Sequence, residues 1–141
     1  MGFELYERQL PDAVRRERET MLADAVAHLR DQGYEHFAAD GLRGYDTPDE
    51  RRVPGGNVPL RVDVLAQAEG KPTLHALAET SSVISDPLWG RRWQAFARLA
   101  EMPGDNRCLI LVHPEDVALA RARAAEWKLS ESLIQGLERR G

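Results

Sequence analysis

The amino-acid sequence predicts an α/β fold in which a mixed sheet of about four strands is flanked by helices, in the order α-β-β-β-α-β-α-α. Three observations carry this prediction: a long amphipathic helical pattern near the start, two strand patterns joined by a tight turn, and a β-α-β step after that hairpin. A strand followed by a helix and another strand implies parallel pairing through a right-handed crossover.

The first helix is predicted from Pro11-Asp12 to Gly33, because glycine commonly ends a helix. Its apolar residues recur at helical spacing: Val14, Met21, Leu22, Ala25, Val26 and Leu29. Its outer face is charged and is expected to be solvated: Arg15, Arg16, Glu17, Arg18 and Glu19. A short first strand follows from Tyr34 to Leu42.

Residues 43–57 are polar and rich in glycine and proline, which predicts a long loop. Its arginines either clamp a nucleic-acid backbone or belong to a surface loop or a dimer arm: Arg43, Arg51 and Arg52. Strict alternation from Val58 to Ala68 predicts a strand, and a turn over residues 69–72 leads to a return strand from Thr73 to Ser81. This return strand is mostly apolar on both faces, so it belongs in the middle of the sheet.

The remaining pattern alternates helix and strand. Ser85-Asp86-Pro87 is a helix-start signal, and that helix is predicted to run to about Met102. A fully buried strand follows from Arg107 to His113. Two further helices are predicted, one from Pro114 to about Trp127 and a short last one capped by Ser130.

Composition narrows the class of protein. The 141 residues fit a single domain over residues 1–141, and the net charge of −4 argues against coating nucleic acid by bulk attraction. The lone cysteine, Cys108, excludes an intramolecular disulfide and a cysteine-based zinc site. No apolar run approaches the roughly 20 residues that span a bilayer, and the first residues lack a signal-peptide core. We therefore expect a cytoplasmic protein with no membrane partner.

Two acidic residues of the hairpin are the strongest chemical signal. If residues 69–72 form a four-residue loop, Asp63 lies opposite Ala78, and a shift of one residue places it opposite Glu79. Directly opposed side chains lie roughly 5 Å apart at Cβ. Two carboxylates that close repel each other unless a cation lies between them, and their oxygens suit Mg²⁺ or Mn²⁺. The pattern predicts a divalent-metal site; equally open is a structural pair held by Arg61, His75 or backbone amides.

The order of elements and this acidic pair resemble the PD-(D/E)xK nuclease superfamily, which has the restriction-endonuclease-like fold. The segment Leu60-Arg61-Val62-Asp63-Val64 matches the strand that carries the family's aspartate. The segment Leu77-Ala78-Glu79-Thr80-Ser81 matches its Glu-x-Lys strand. The resemblance covers about residues 12 to 127. It implies a magnesium-dependent DNA phosphodiesterase in which Asp63 and Glu79 hold the metal ion and a bound water attacks phosphorus in line.

The chain departs from the family's pattern at Ser81, which stands where the family has its catalytic lysine. Members of the family that move the basic residue place it on the following helix, where this chain has Arg91 and Arg92. Arginine is a poor base, so these arginines and Ser81 are expected to orient the phosphate. The family's additional first-helix acid has three candidates: Glu17, Glu19 and Asp24.

Hypotheses from different classes therefore stay open. The first is the metal-dependent nuclease, with DNA as its partner. The second is a catalytically inactive nuclease-fold module for protein interaction or assembly. Three features favour it: the missing lysine, the acidic net charge, and the tryptophans Trp89 and Trp93. These tryptophans either stack on bases or belong to the core or an interface, including that of a homodimer. A third is another small α/β enzyme in which the acidic pair is incidental.

Overall fold

The computed structural model of this chain describes residues 12–53, 59–86 and 89–140. The predicted helix signals at Pro11 and Pro87 and the predicted strand start at Val58 lie outside the described residues. The described chain forms four α-helices, five strands and three 3₁₀ turns. The helices are α1 (Asp12–Asp31), α2 (Ser81–Ile84), α3 (Trp89–Ala97) and α4 (Val117–Glu126). The strands are β1 (His36–Ala39), β2 (Val64–Gln67), β3 (Thr73–Glu79), β4 (Asn106–Val112) and β5 (Ile134–Gly136).

The strands form one mixed sheet in sequence order, β1-β2-β3-β4-β5. The first three strands pair antiparallel as a meander. The last three pair in parallel, with α2 and α3 lying between β3 and β4 along the chain and α4 lying between β4 and β5. The predicted α/β class and the parallel β-α-β step are confirmed.

Each face of the sheet has its own apolar core. Helix α1 packs on one face through Leu22, Ala25 and Leu29, against even-numbered β3 residues such as Ala76. Helices α3 and α4 pack on the opposite face, where Trp93 and Ala120 share a cluster with Leu77 of β3. Because both faces of β3 are covered, its side chains from Leu74 to Glu79 are all buried, as the apolar sequence of this strand predicted.

Helix α1 follows its sequence pattern. Its residues from Met21 to Leu29 supply the buried stripe, and the chain turns out of the helix at Gly33 with φ +98°. A left-handed backbone of this kind favours glycine, which explains why the helix stops there. None of the described helices is both long and apolar enough to cross a membrane.

The C-terminal prediction was wrong. Instead of a short last helix, Ser130 caps a 3₁₀ turn over Glu131–Leu133, and the chain then enters β5 as a fifth strand. The Ser130 hydroxyl accepts the backbone N–H of Ser132 at 3.3 Å, so the capping signal itself was correct. The strand was missed because three residues are too few to show a two-residue alternation.

The element bounds after the hairpin also differ from the prediction. A separate four-residue helix α2 begins at Ser81, so β3 ends two residues earlier than expected. The predicted helix to Met102 instead changes at Arg98 into a 3₁₀ turn that ends at Glu101. Strand β2 begins at Val64, so the described residues 59–63 are not part of it, contrary to the prediction from the alternation.

The predicted pairings of Asp63 with Ala78 or Glu79 are wrong. Val64 pairs with Ala76 and Ala66 with Leu74, so the register is shifted by one residue in the direction opposite to the one that joins Asp63 to Glu79. The chain bends at Asp63, whose backbone N–H still donates to the Ala76 carbonyl at 3.1 Å. Asp63 and Glu79 therefore do not lie opposite each other as a cross-strand pair.

Candidate functional site

Asp63 and Glu79 are both buried at the ends of neighbouring strands. Asp63 lies at the bend just before β2, and Glu79 is the last residue of β3. Their exposed fractions are 0% and 3%. Carboxylates so fully removed from water need charged or hydrogen-bonding partners, and those partners define what this site can do.

Arg92 of α3 supplies the shared partner. Its Nη2 donates to Asp63 Oδ1 at 3.0 Å, and its Nη1 donates to Glu79 Oε1 at 3.1 Å. Nη2 also donates to the Arg61 carbonyl at 3.2 Å. The side chain is itself buried, with 2% exposed. The guanidinium therefore bridges both carboxylates from inside the protein.

A second guanidinium reaches Asp63 from the opposite face of the sheet. Arg18 of α1 donates through Nη2 to Asp63 Oδ1 and through Nη1 to the Asp40 carbonyl at 3.1 Å. Arg18 Nη2 also lies 3.7 Å from Asp40 Oδ2, so its guanidinium is shared between the carboxylates of Asp40 and Asp63. The site thereby joins α1 on one face to α3 on the other.

Uncharged N–H groups donate the remaining hydrogen bonds to the two carboxylates. The backbone N–H of Ala78 donates to Asp63 Oδ2 at 2.8 Å. The indole Nε1–H of Trp93 donates to Glu79 Oε2 at 2.8 Å. Each carboxylate thus accepts hydrogen bonds on both of its oxygens, as buried charges in stable proteins generally do.

The two acids have opposite pKa shifts. Burial alone would raise the pKa of Asp63, but Arg18, Arg92 and the Ala78 amide outweigh it and lower the pKa to about 2. Burial raises the pKa of Glu79, and the neighbouring Asp63 charge adds to this, against the opposing effects of Arg92 and Trp93. The hydrogen bonds agree with this difference, because Arg18 and Arg92 both donate to Asp63, whereas Arg92 donates to Glu79 through a single Nη atom.

This arrangement does not fit a divalent metal ion. The carboxylate oxygens that would coordinate Mg²⁺ or Mn²⁺ already accept hydrogen bonds from guanidinium, indole and amide groups. Within residues 12–53, 59–86 and 89–140, no three His, Cys, Asp or Glu side chains converge on one point as metal ligands would. The cation between the two acids is Arg92.

The other predicted site residues lie elsewhere. Ser81 begins α2, and its hydroxyl donates to Asp116 Oδ2 at 2.5 Å rather than to the acidic pair. Arg91 is exposed on α3, and among the described residues it makes no hydrogen bond with either carboxylate. Of the two arginines proposed for phosphate binding, the structure brings only Arg92 to the acids.

The first-helix acids do not join the pair. Glu17 Oε1 lies 3.2 Å from His113 Nε2, Glu19 is exposed, and Asp24 is buried in α1. His75, a candidate partner of the acidic pair, is buried, and its Nε2 lies 3.0 Å from Asn106 Oδ1. Burial lowers the pKa of His75 despite this hydrogen bond.

Sequence reasoning missed the roles of Arg18 and Trp93. The charged pattern predicts Arg18 on the solvated face of α1, yet Arg18 lies four residues before Leu22 and seven before Ala25, on the inward stripe. An arginine in register with a buried stripe is the signal that could have identified it. Trp93 was expected in the core or an interface, and its indole N–H finds the polar partner that a buried tryptophan needs.

Comparisons with known proteins give no relative: no family model, curated protein or solved structure matches this chain. The resemblance to the PD-(D/E)xK nucleases therefore stays a prediction from the motif and the element order.

Proposed function

We propose that this chain is a catalytically inactive nuclease-fold module that works by binding a partner protein. The observation that carries the proposal is the position of Arg92, whose guanidinium occupies the place between Asp63 and Glu79 that a divalent cation needs. The restriction-endonuclease-like core is part of this proposal. An N-terminal helix, a three-stranded meander and a parallel crossover strand support it.

Arg92 supplies the positive charge that a metal ion would otherwise supply between the two acids. Arginine stays protonated in proteins, so its positive charge is permanent and needs no cofactor supply. Withdrawing it from the acids would break a buried ion pair with each of them, and breaking a buried ion pair typically costs about 3–5 kcal/mol. The binding free energy of a metal ion would have to exceed that cost.

The burial of the acidic pair also favours the inactive module. A metal-dependent phosphodiesterase needs room at the metal for an attacking water and a phosphate. Here both carboxylates are almost fully buried, and Ser81, at the lysine position, carries no charge. The nuclease hypothesis stays open in one form only: helix α3 would have to withdraw Arg92 when DNA and metal arrive.

A calorimetric titration with a cleavage assay tests the proposal. Mn²⁺ is titrated into wild type, Asp63→Asn and the matched surface variant Glu101→Gln, and each protein is incubated with supercoiled, linear and single-stranded DNA plus Mn²⁺. We expect no saturable heat and no cleavage from any of them. Saturable binding and cleavage by wild type and Glu101→Gln, both lost in Asp63→Asn, would falsify the inactive module.

A further inference from the structure

A cavity of about 310 Å³ lies beside the acidic site, between α2 and α3 on one side and α4 on the other. Its apolar walls come from Ile84 and from two indoles, Trp93 and Trp127. Its charged groups are Asp86, Arg123 and Glu126. The volume is at the lower end of the range for ligand pockets, which suits one long side chain or a small molecule.

The tryptophan wall depends on Gly90. A Cβ atom built at Gly90 would lie 1.7 Å from Cε2 of Trp127, so no other residue fits here without moving the indole. The absence of a side chain lets the Trp127 ring lie against the backbone of α3. The Gln94 side-chain amide also donates to the Trp127 carbonyl at 3.2 Å, which fixes the chain just after α4.

The described residues that line the cavity include more acidic than basic side chains. Asp86 and Glu126 contribute two negative charges and Arg123 one positive charge, and Arg123 Nη1 donates to Glu126 Oε2 at 3.0 Å. The formal charge of the described lining side chains is therefore −1, and Asp86 makes a further interaction of its own. Tryptophan faces attract cations and acidic groups add to that attraction, while the same charge repels phosphate.

We propose that this cavity binds the ammonium or guanidinium side chain of a lysine or arginine presented by a partner protein. The aliphatic stem of such a side chain would pack on the indoles while its cationic head lies near the carboxylates. The choice of a protein as the source of the cation rests on the proposed function. The choice of a cation rests on the cavity alone.

Nuclear magnetic resonance titration of the tryptophan indole N–H signals tests the inference. The probes are an alanine-flanked lysine pentapeptide, its norleucine counterpart, which has the same stem without the charge, and free n-butylammonium. We expect the Trp93 and Trp127 signals to shift with the lysine peptide at millimolar concentrations and at least about fivefold more weakly with the norleucine peptide. No shift, or equal binding of the norleucine peptide, overturns the inference.

The other arm separates the two sources of the cation. Tighter binding of the lysine peptide than of n-butylammonium supports a protein partner. Equal or tighter binding of n-butylammonium overturns the protein partner in favour of a free small molecule.

Variants locate the binding site. Glu126→Gln removes one negative charge from an exposed position of the lining and should weaken lysine-peptide binding about fivefold. The matched change Glu131→Gln, on an exposed residue outside the cavity, should leave it unchanged. Trp127→Leu, with its folding checked by circular dichroism, should abolish binding. If Glu126→Gln binds as wild type does, the site is elsewhere and the inference fails.

This experiment is independent of the metal titration. Metal binding by wild type would overturn the inactive module and leave the cationic-peptide site standing. Failure of the peptide to bind would remove the cavity inference and leave the role of Arg92 unchanged.

Discussion

Arg92 and Ser81, which the sequence predicted at one site, lie in different contacts in the structure. Ser81 stands at the catalytic-lysine position of the nuclease motif but bonds to Asp116 instead. Arg92 was expected to orient a phosphate, and its guanidinium instead contacts Asp63 and Glu79 directly. At the scale of single residues, the sequence predicted Asp63 and Glu79 as the site acids. It also named Arg92, but for orienting a phosphate and not for bridging these two carboxylates.

The opposite pKa shifts make the acids respond differently to pH. A lowered pKa means that ionised Asp63 stabilises the fold above its unfolded value near 3.8, and this contribution is lost as the pH falls toward about 2. A raised pKa means that ionised Glu79 costs stability at neutral pH and that its protonation in mild acid relieves the cost. Only the Asp63 contribution weakens in the more acidic range.

The variant Asp63→Asn tests the predicted direction of the pH dependence of stability. By urea unfolding, the variant should be less stable than wild type by about 2 kcal/mol near pH 4, and the gap should narrow to about 1 kcal/mol near pH 2.5. The surface variant Glu101→Gln should show no gap at either pH. A gap between wild type and Asp63→Asn that widens with acid would contradict the pairing of Asp63 with Arg18 and Arg92.

At the scale of elements, the strongest patterns gave the correct elements. The buried stripe of α1, the β2–β3 hairpin and the apolar β4 are present in the structure. Strand β5 was missed because it has three residues, and the hairpin register was missed because the chain bends at Asp63. A one-residue shift cannot be read from alternation alone when β3 is buried on both faces.

The contact between α3 and the end of α4 makes a prediction about glycine. Gly90→Ala places a methyl group inside the Trp127 ring, so we expect a loss of about 1–3 kcal/mol in the free energy of unfolding. Gly136→Ala is the matched control, because its Cβ would lie 3.2 Å from Val117 Cγ2 and should cost less. Urea unfolding of both variants measures the difference. Equal stability of Gly90→Ala and wild type would mean that Trp127 does not pack on Gly90.

At the scale of the whole molecule, the acidic site joins the two layers of helices through the sheet. Arg18 comes from α1 on one face and Arg92 from α3 on the other, and both contact Asp63. These contacts join residues 45 and 29 positions apart in sequence, which local pattern reading cannot anticipate. The α/β class followed from the order of elements, whereas the identity of the cation depended on how the layers pack.

The central claim is that Arg92 neutralises the acidic pair as part of the fold. Urea unfolding at neutral pH of four proteins tests it: wild type, Arg92→Met, Asp63→Asn/Glu79→Gln and the triple variant. Arg92→Met should lose about 3–5 kcal/mol, because two buried carboxylates lose their shared partner, and the triple variant should regain most of that loss. If Arg92→Met is as stable as wild type, or if the losses in the triple variant simply add, the account is contradicted.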